Sequence, residues 1–135
     1  WQLGEQRIDM PLLVEHRKKG ERHVVVSGAG KSALTVMRLS RTFGTYSLVQ
    51  CQPETGRTHQ VRVHAKHVGH PIVGDLRYGD PADNYVAKKR GLKRLFLHAQ
   101  SIAFADGGGN ELHFTAPLAA DLEKFLDRIS GGRKR

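Results

Sequence analysis

Apolar and polar residues alternate along much of the first half of the chain. From Arg7 to Val14, Ile8, Met10 and Leu12 alternate with other residues, which predicts a strand. Arg17-Lys18-Lys19-Gly20-Glu21 reads as a charged turn, and His23 to Ser27 as a second strand closed by Gly28-Ala29-Gly30. Leu34 to Phe43 alternates over its whole length. Thr35, Met37, Leu39, Arg41 and Phe43 fall on one face, and Leu34, Val36, Arg38 and Ser40 on the other. Gly44-Thr45 then leads into Tyr46 to Gln52, so the two runs predict an antiparallel hairpin.

The period changes after Pro53-Glu54-Thr55-Gly56. Thr58 is placed to cap a helix running to about Val68 and stopped by Gly69, with Val61, Ala65 and Val68 as its buried stripe. Gly79 to Gly91 reads as a polar loop with weak helical character. Leu95 to Ala105 and Glu111 to Thr115 read as strands around the Asp106-Gly107-Gly108-Gly109-Asn110 turn. Leu122, Phe125, Leu126 and Ile129 predict an amphipathic helix after Pro117, and 131–135 is a basic tail. Hairpins with a few flanking helices predict an α+β fold on a mostly antiparallel or mixed sheet, formed by residues 1–130 as one unit. No internal repeat is visible, and no stretch of apolar residues is long enough for a transmembrane helix.

Charge narrows the choice of partner. Lys and Arg number 22 against 13 Asp and Glu, for a net charge of +9 with neutral His. Such a balance favours a polyanion, because each neutralised phosphate releases counterions. The lone Cys51 lies in a strand-like run and cannot form an internal disulfide, which implies an inert thiol in a reducing cytoplasm. The chain starts at Trp1 without Met or a leader, as a piece of something longer would.

The chemistry concentrates in Thr55-Gly56-Arg57-Thr58-His59-Gln60-Val61-Arg62-Val63-His64. A glycine turns the chain off a strand and a helix begins at once, with Arg57, Arg62, His64, Lys66 and His67 close by. Free N–H groups at a helix start, ringed by cations, suit phosphate or carboxylate. Arg62 follows the buried Val61 and should be half covered, so it needs an anionic partner. A ligand and an internal ion pair meet that need equally well.

Two other patterns carry less. Gly28-Ala29-Gly30-Lys31-Ser32 is similar to the end of a P-loop, but Val25 stands where that loop needs glycine and a strand pattern follows instead of a helix. His59, His64, His67 and His70 are crowded, yet no carboxylate or cysteine completes a metal set.

The run from Gln52 to His64, with Gly69-His70-Pro71-Ile72-Val73-Gly74-Asp75 and Arg77-Tyr78-Gly79, resembles the third conserved motif of the RluA-type RNA pseudouridine synthases. Leu95-Phe96-Leu97-His98-Ala99 and Thr115-Ala116-Pro117 are similar to downstream strands of that family. Gly91-Leu92-Lys93-Arg94 resembles in particular its ribosomal large subunit pseudouridine synthase C group. The resemblance runs from about Gly30 onward. It implies isomerisation of uridine to pseudouridine in RNA, with 23S ribosomal RNA as the expected substrate and no cofactor or metal. The target base must be flipped out of its stack, because the reacting atoms are otherwise covered.

By that resemblance, Arg62 pairs with a catalytic aspartate carried on a His-Arg-Leu-Asp-type motif and keeps it ionised. Arg57, Thr58, His59 and Gln60 would shape the pocket rim and bind backbone phosphate, and His64, Lys66, Arg77 and Tyr78 would add RNA contacts. No His-Arg-Leu-Asp string occurs in these 135 residues. The family's tyrosine before a Gly-x-Trp-like segment is missing too, and Trp1 would be a remnant of that segment. The expectation is a chain that is inactive alone and needs the N-terminal half of the catalytic domain as partner, beside an open cleft at Arg62. The alternative is a non-catalytic RNA-binding module of the same fold.

Overall fold

The computed structural model describes residues 4–16, 20–99, 101–105, 111–115 and 117–130, the strands at 101–105 and 111–115 by their backbone alone. The expected turns at 17–19 and 106–110, Trp1 and the basic tail 131–135 lie outside the described residues. The fold is α+β, as the patterning predicts.

Among the described residues, the β structure forms three antiparallel units. Strands β1 (Glu5–Asp9), β4 (Leu34–Phe43) and β5 (Tyr46–Pro53) form a sheet in the order β1-β4-β5. Strands β2 (Leu12–His16) and β3 (Arg22–Val26) form a hairpin, and β6 (Ser101–Ala105) pairs with β7 (Glu111–Thr115). The β4–β5 hairpin turns at Gly44-Thr45 as expected, with Phe43 opposite Tyr46. Its register shifts between Leu39 and Arg41, a bulge that leaves Ser40 out of the ladder.

The single strand expected from Arg7 to Val14 is two. Pro11 has no N–H for a ladder, and the chain changes sheets at Met10-Pro11. On the far side of this break, Leu12 and Lys31 exchange backbone hydrogen bonds of 2.9 Å in both directions, so the 28–31 loop lies against β2. After Lys31-Ser32 the chain enters β4 and not a helix, so the P-loop-like string is the wall of a hairpin.

Helix α1 (Gln60–His67) is wedged between the hairpin and the sheet. Val63 packs with Leu12, Val24, Ala33 and Tyr78 on one side. Ala65 packs with Ile8 and Met37 on the other, where Val61, Val68 and Ile72 join them. One expected stripe is therefore two buried faces. A helix covered on both sides needs little amphipathicity, which explains why so polar a sequence is helical here.

Helix α2 (Pro81–Lys89) occupies the expected polar loop. Pro81 supplies a preset φ in the first turn. Only Ala87 is buried, so no apolar stripe announces the helix. Helix α3 (Ala120–Ile129) buries Leu122, Phe125 and Leu126, as its pattern predicts. Leu122 and Phe125 close a third cluster with Ala87 and Leu92, against Tyr46 and Phe96. Residues 95–99 are not a strand. The Phe96 N–H donates to the Val73 carbonyl, and Arg94 donates to the Leu95 and Leu97 carbonyls, so this segment is pinned to the loop before Asp75 instead of to a neighbouring strand.

Candidate functional site

The segment between β5 and α1 is built from inward-turned polar groups. Helix α1 begins at Gln60, and His59, not Thr58, is its cap residue, with no side-chain capping bond. The Gln60 side chain instead fastens the turn that precedes the helix. Its Oε1 accepts from the Arg57 N–H (3.1 Å) and the Thr55 hydroxyl (2.6 Å). Its Nε2 donates to the Leu34 carbonyl and the Thr35 hydroxyl, both at 2.9 Å. Gln60 is thus a buried buckle tying the turn to β4, and its side chain is not available to RNA.

His64 is also corrected. It is 0% exposed, with Nδ1 2.7 Å from the Thr35 hydroxyl and Nε2 2.9 Å from the Met10 carbonyl. A carbonyl can only accept, so Nε2 carries the proton and Nδ1 accepts from Thr35. The ring clamps α1 to β4 and to the β1–β2 break, and it cannot reach RNA.

Tyr78 is 2% exposed, so direct RNA contact is closed to it too. Its hydroxyl accepts from the Val24 N–H at 3.0 Å, so its own proton goes to His59 Nδ1 at 2.7 Å. That bond holds His59 in the left-handed conformation, with φ 54° and ψ 23°. A non-glycine residue there costs on the order of 1–2 kcal/mol, and His59 is half-buried with its ring edge against Tyr78.

Arg62 does have an anionic partner, and this chain supplies it. Nε lies 2.9 Å from Asp75 Oδ2, and Nη2 lies 2.8 Å from Oδ1. The Asp75 side chain is 0% exposed and that of Arg62 21%. Oδ1 also accepts the Arg77 and Tyr78 N–H groups at 3.0 Å. Burial alone would raise the Asp75 carboxyl. The Arg62 guanidinium and the two N–H groups outweigh it and hold the carboxyl below its ordinary value. Gly79 makes the turn possible, since a Cβ there would overlap the Asp75 carbonyl.

The guanidinium also lies over the Tyr78 ring, 5.1 Å from its centre. Of its five N–H groups, Asp75 uses two on the Nε edge. Nη1 has no hydrogen-bond partner among the described residues. Arg62 is therefore held by one edge, with its end still able to meet a second anion.

The remaining candidates are spread out. Lys66 is exposed in the last turn of α1. Arg77 is exposed but engaged, with Glu21 at 3.0 Å and the Arg22 carbonyl. Arg57 is exposed and donates Nε to the Ser32 carbonyl at 2.9 Å. A hollow of about 470 Å³ is lined by Arg57, Thr58, Lys31 and the β2–β3 hairpin, and Arg62 is not part of its wall. Nothing in the sequence pattern around Gly74-Asp75 marks Asp75 as the partner of Arg62. The half-buried arginine was the signal for it. Cys51 conforms to the inert reading, since burial pushes its thiol up to about 11. Among the described residues, no helix is long and apolar enough to cross a membrane.

Two histidines accept at Nδ1 and must stay neutral, which sets an acid response. Burial lowers the His64 pKa. Burial, reinforced by Arg62, Arg77 and Arg22, lowers that of His59. The unfolded chain takes up protons from about pH 6.5 downward while the folded chain still resists. Stability should be level above that point and fall as the pH drops below it, until the depressed folded values are passed. Urea midpoints measured from about pH 7.5 to 5 check this; a flat profile would refute the neutral clamps.

A model of the RNA pseudouridylate synthase family matches residues 3–67. The chain is 43% identical over 130 residues to ribosomal large subunit pseudouridine synthase C of Haemophilus ducreyi, covering 96% of this chain and 41% of that protein. It is 39% identical to the protein of the same name from Escherichia coli, covering 98% and 43% respectively. The chain thus spans about two fifths of the length of these curated relatives. Among solved structures, human RNA pseudouridylate synthase domain containing 1 has the same fold, with a TM-score of 0.70 and 24% identity over 96% of this chain and 60% of that one.

Proposed function

The chain belongs to the RNA pseudouridylate synthase family, of the RluA type, and on that premise we propose that residues 1–130 are the C-terminal portion of a catalytic domain that isomerises uridine in 23S ribosomal RNA, in the cytoplasm. Residues 131–135 are a basic extension of it. The catalytic aspartate comes from outside these residues, on the N-terminal half that is the chain's partner. The single observation that carries the reading is the one-edge hold on Arg62. A guanidinium fixed by a buried carboxylate cannot rotate freely, so its Nη1 end presents a fixed cation to a second carboxylate. That carboxylate is kept ionised and oriented by the pairing. Arg57, Thr58, His59 and Lys66 contact RNA around it, with Arg77 a further cation at the hairpin.

The completed Arg62–Asp75 pair favours a second reading, in which the chain is an RNA-binding module without chemistry. One experiment separates the two. Unmodified 23S transcript is incubated with this chain alone, and with the chain plus an N-terminal half carrying the His-Arg-Leu-Asp motif, and pseudouridines are mapped. The expected result is none with the chain alone and site-specific conversion with both, lost in Arg62→Met. Conversion by the chain alone would overturn the assignment of the aspartate. No conversion in either case, with RNA bound, would favour the module.

A further inference from the structure

We infer that the hollow between the β2–β3 hairpin and the turn before α1 binds one nucleotide of single-stranded RNA, its phosphate on Lys31 and Arg57 and its base against the apolar wall of the hairpin. The inference rests on the reading of the chain as an RNA-binding protein, and it adds a site and a residue, Lys31, that lies outside the run from Gln52 to His64.

Three features of the hollow support it. The first is its size and lining. About 470 Å³ is within the range of small-ligand sites, roughly 300–1,000 Å³. Its walls combine apolar strand residues with cations, and among the described residues no acidic side chain lines it. Apolar surface beside a phosphate-binding cation is what a nucleotide needs, since every base has a flat face to bury.

The second is donor supply. Arg57 spends Nε on the Ser32 carbonyl, which leaves its Nη groups. The Lys31 ammonium and the Thr58 hydroxyl have no hydrogen-bond or ion-pair partner among the described residues. The Arg57 Nη groups, the Lys31 ammonium and the Thr58 hydroxyl therefore line one hollow with no partner among the described residues. Elsewhere, Arg77, Arg38 and Arg94 each have an acidic partner within 4 Å.

The third is a firm frame. Lys31 is bonded by its backbone to Leu12 in both directions. A Cβ on Gly30 would overlap the Leu12 backbone, so this loop sits flush on β2. The Arg57 N–H is fixed by the buried Gln60. The two cations thus stand on backbone that binding need not reorder, which spares the site the ordering cost of a flexible loop.

The test uses this chain and a fluorescent, unstructured RNA of about ten nucleotides. Affinity is measured over a range of salt for the native chain and for Lys31→Ala, Thr58→Val, Lys66→Ala and Lys124→Ala. Lys31→Ala should weaken binding about three- to tenfold and lower the salt slope by about 0.7, the value of one phosphate contact on a single strand. Thr58→Val should weaken it less and leave the slope unchanged, and Lys124→Ala on α3 should do neither. In parallel, amide shifts of Gly30, Gly56 and Thr58 are followed with uridine monophosphate and with inorganic phosphate. Larger shifts with the nucleotide support the site; equal shifts mean an anion site only and overturn it. Loss with Lys66→Ala but not Lys31→Ala overturns the hollow and leaves the RNA reading standing. No binding to RNA by the native chain overturns both.

Discussion

Replacing Asp75 with Asn should destabilise the fold by about 3 kcal/mol, the usual scale for removing one partner of a buried ion pair. The carboxylate accepts from four donors: Arg62 Nε and Nη2 and the Arg77 and Tyr78 N–H groups. An asparagine Oδ1 could keep the two backbone N–H groups. Its NH2 would then face Arg62 Nε–H, donor against donor, with the guanidinium still partly covered. Arg62→Leu should cost a similar amount, because it strands the carboxylate in a site where its side chain is 0% exposed. The double variant should cost clearly less than the sum of the two, since neither stranded group remains. Urea denaturation of the four proteins measures this. Additive losses, or a loss below about 1 kcal/mol for Asp75→Asn, would show that the pair is incidental. The pH response adds a second check. Asp75 titrates below its ordinary value when folded, so its contribution is whole above about pH 3.9 and lost as the pH falls through the folded value. That loss should vanish from the Asp75→Asn profile, while the histidine-linked loss that begins near pH 6.5 remains.

The same pair shows where sequence reading reached and where it stopped. The β4–β5 hairpin was legible because period-2 alternation and a Gly turn are local signals. Helix α3 was legible because it packs on one side only, leaving a clean stripe. Helix α2 was not, because it buries a single alanine and its pattern is nearly all polar. The need for an anion at Arg62 followed from its position beside Val61, but its supplier lies 13 residues on, across a turn with no periodicity to read. Polar side chains near cations look like ligands in one dimension, so the sequence alone suggests RNA contacts at Gln60, His64 and Tyr78. Only the fold shows that α1 is covered on two sides, so the same polarity is spent inside. Arg57, Thr58 and Lys66 do remain at the surface or on a cleft.

Gln60→Glu tests that inward polarity, and it should cost about 3 kcal/mol near neutral pH although the two side chains have the same shape. The amide has both roles here. Oε1 accepts from Thr55 and Arg57, and Nε2 donates to the Leu34 carbonyl and the Thr35 hydroxyl. A carboxylate keeps the first pair and inverts the second. The Leu34 carbonyl cannot donate. The Thr35 hydroxyl has one proton, already committed to His64 Nδ1. A buried charge would therefore face two oxygens, at about 1–3 kcal/mol for each group left without a partner. Protonation offers a way out, since the acid form can donate to Leu34. The introduced carboxyl should accordingly titrate above its ordinary range when folded, and its folded form should gain relative stability as the pH falls. The deficit against the native chain should shrink between about pH 7 and pH 5, even as both proteins lose stability through their histidines. Paired urea midpoints at the two pH values decide it. A deficit that holds constant or grows on acidification would mean that the carboxylate finds donors in place, and that the Gln60–Thr35–His64 chain is not the directional relay its distances describe.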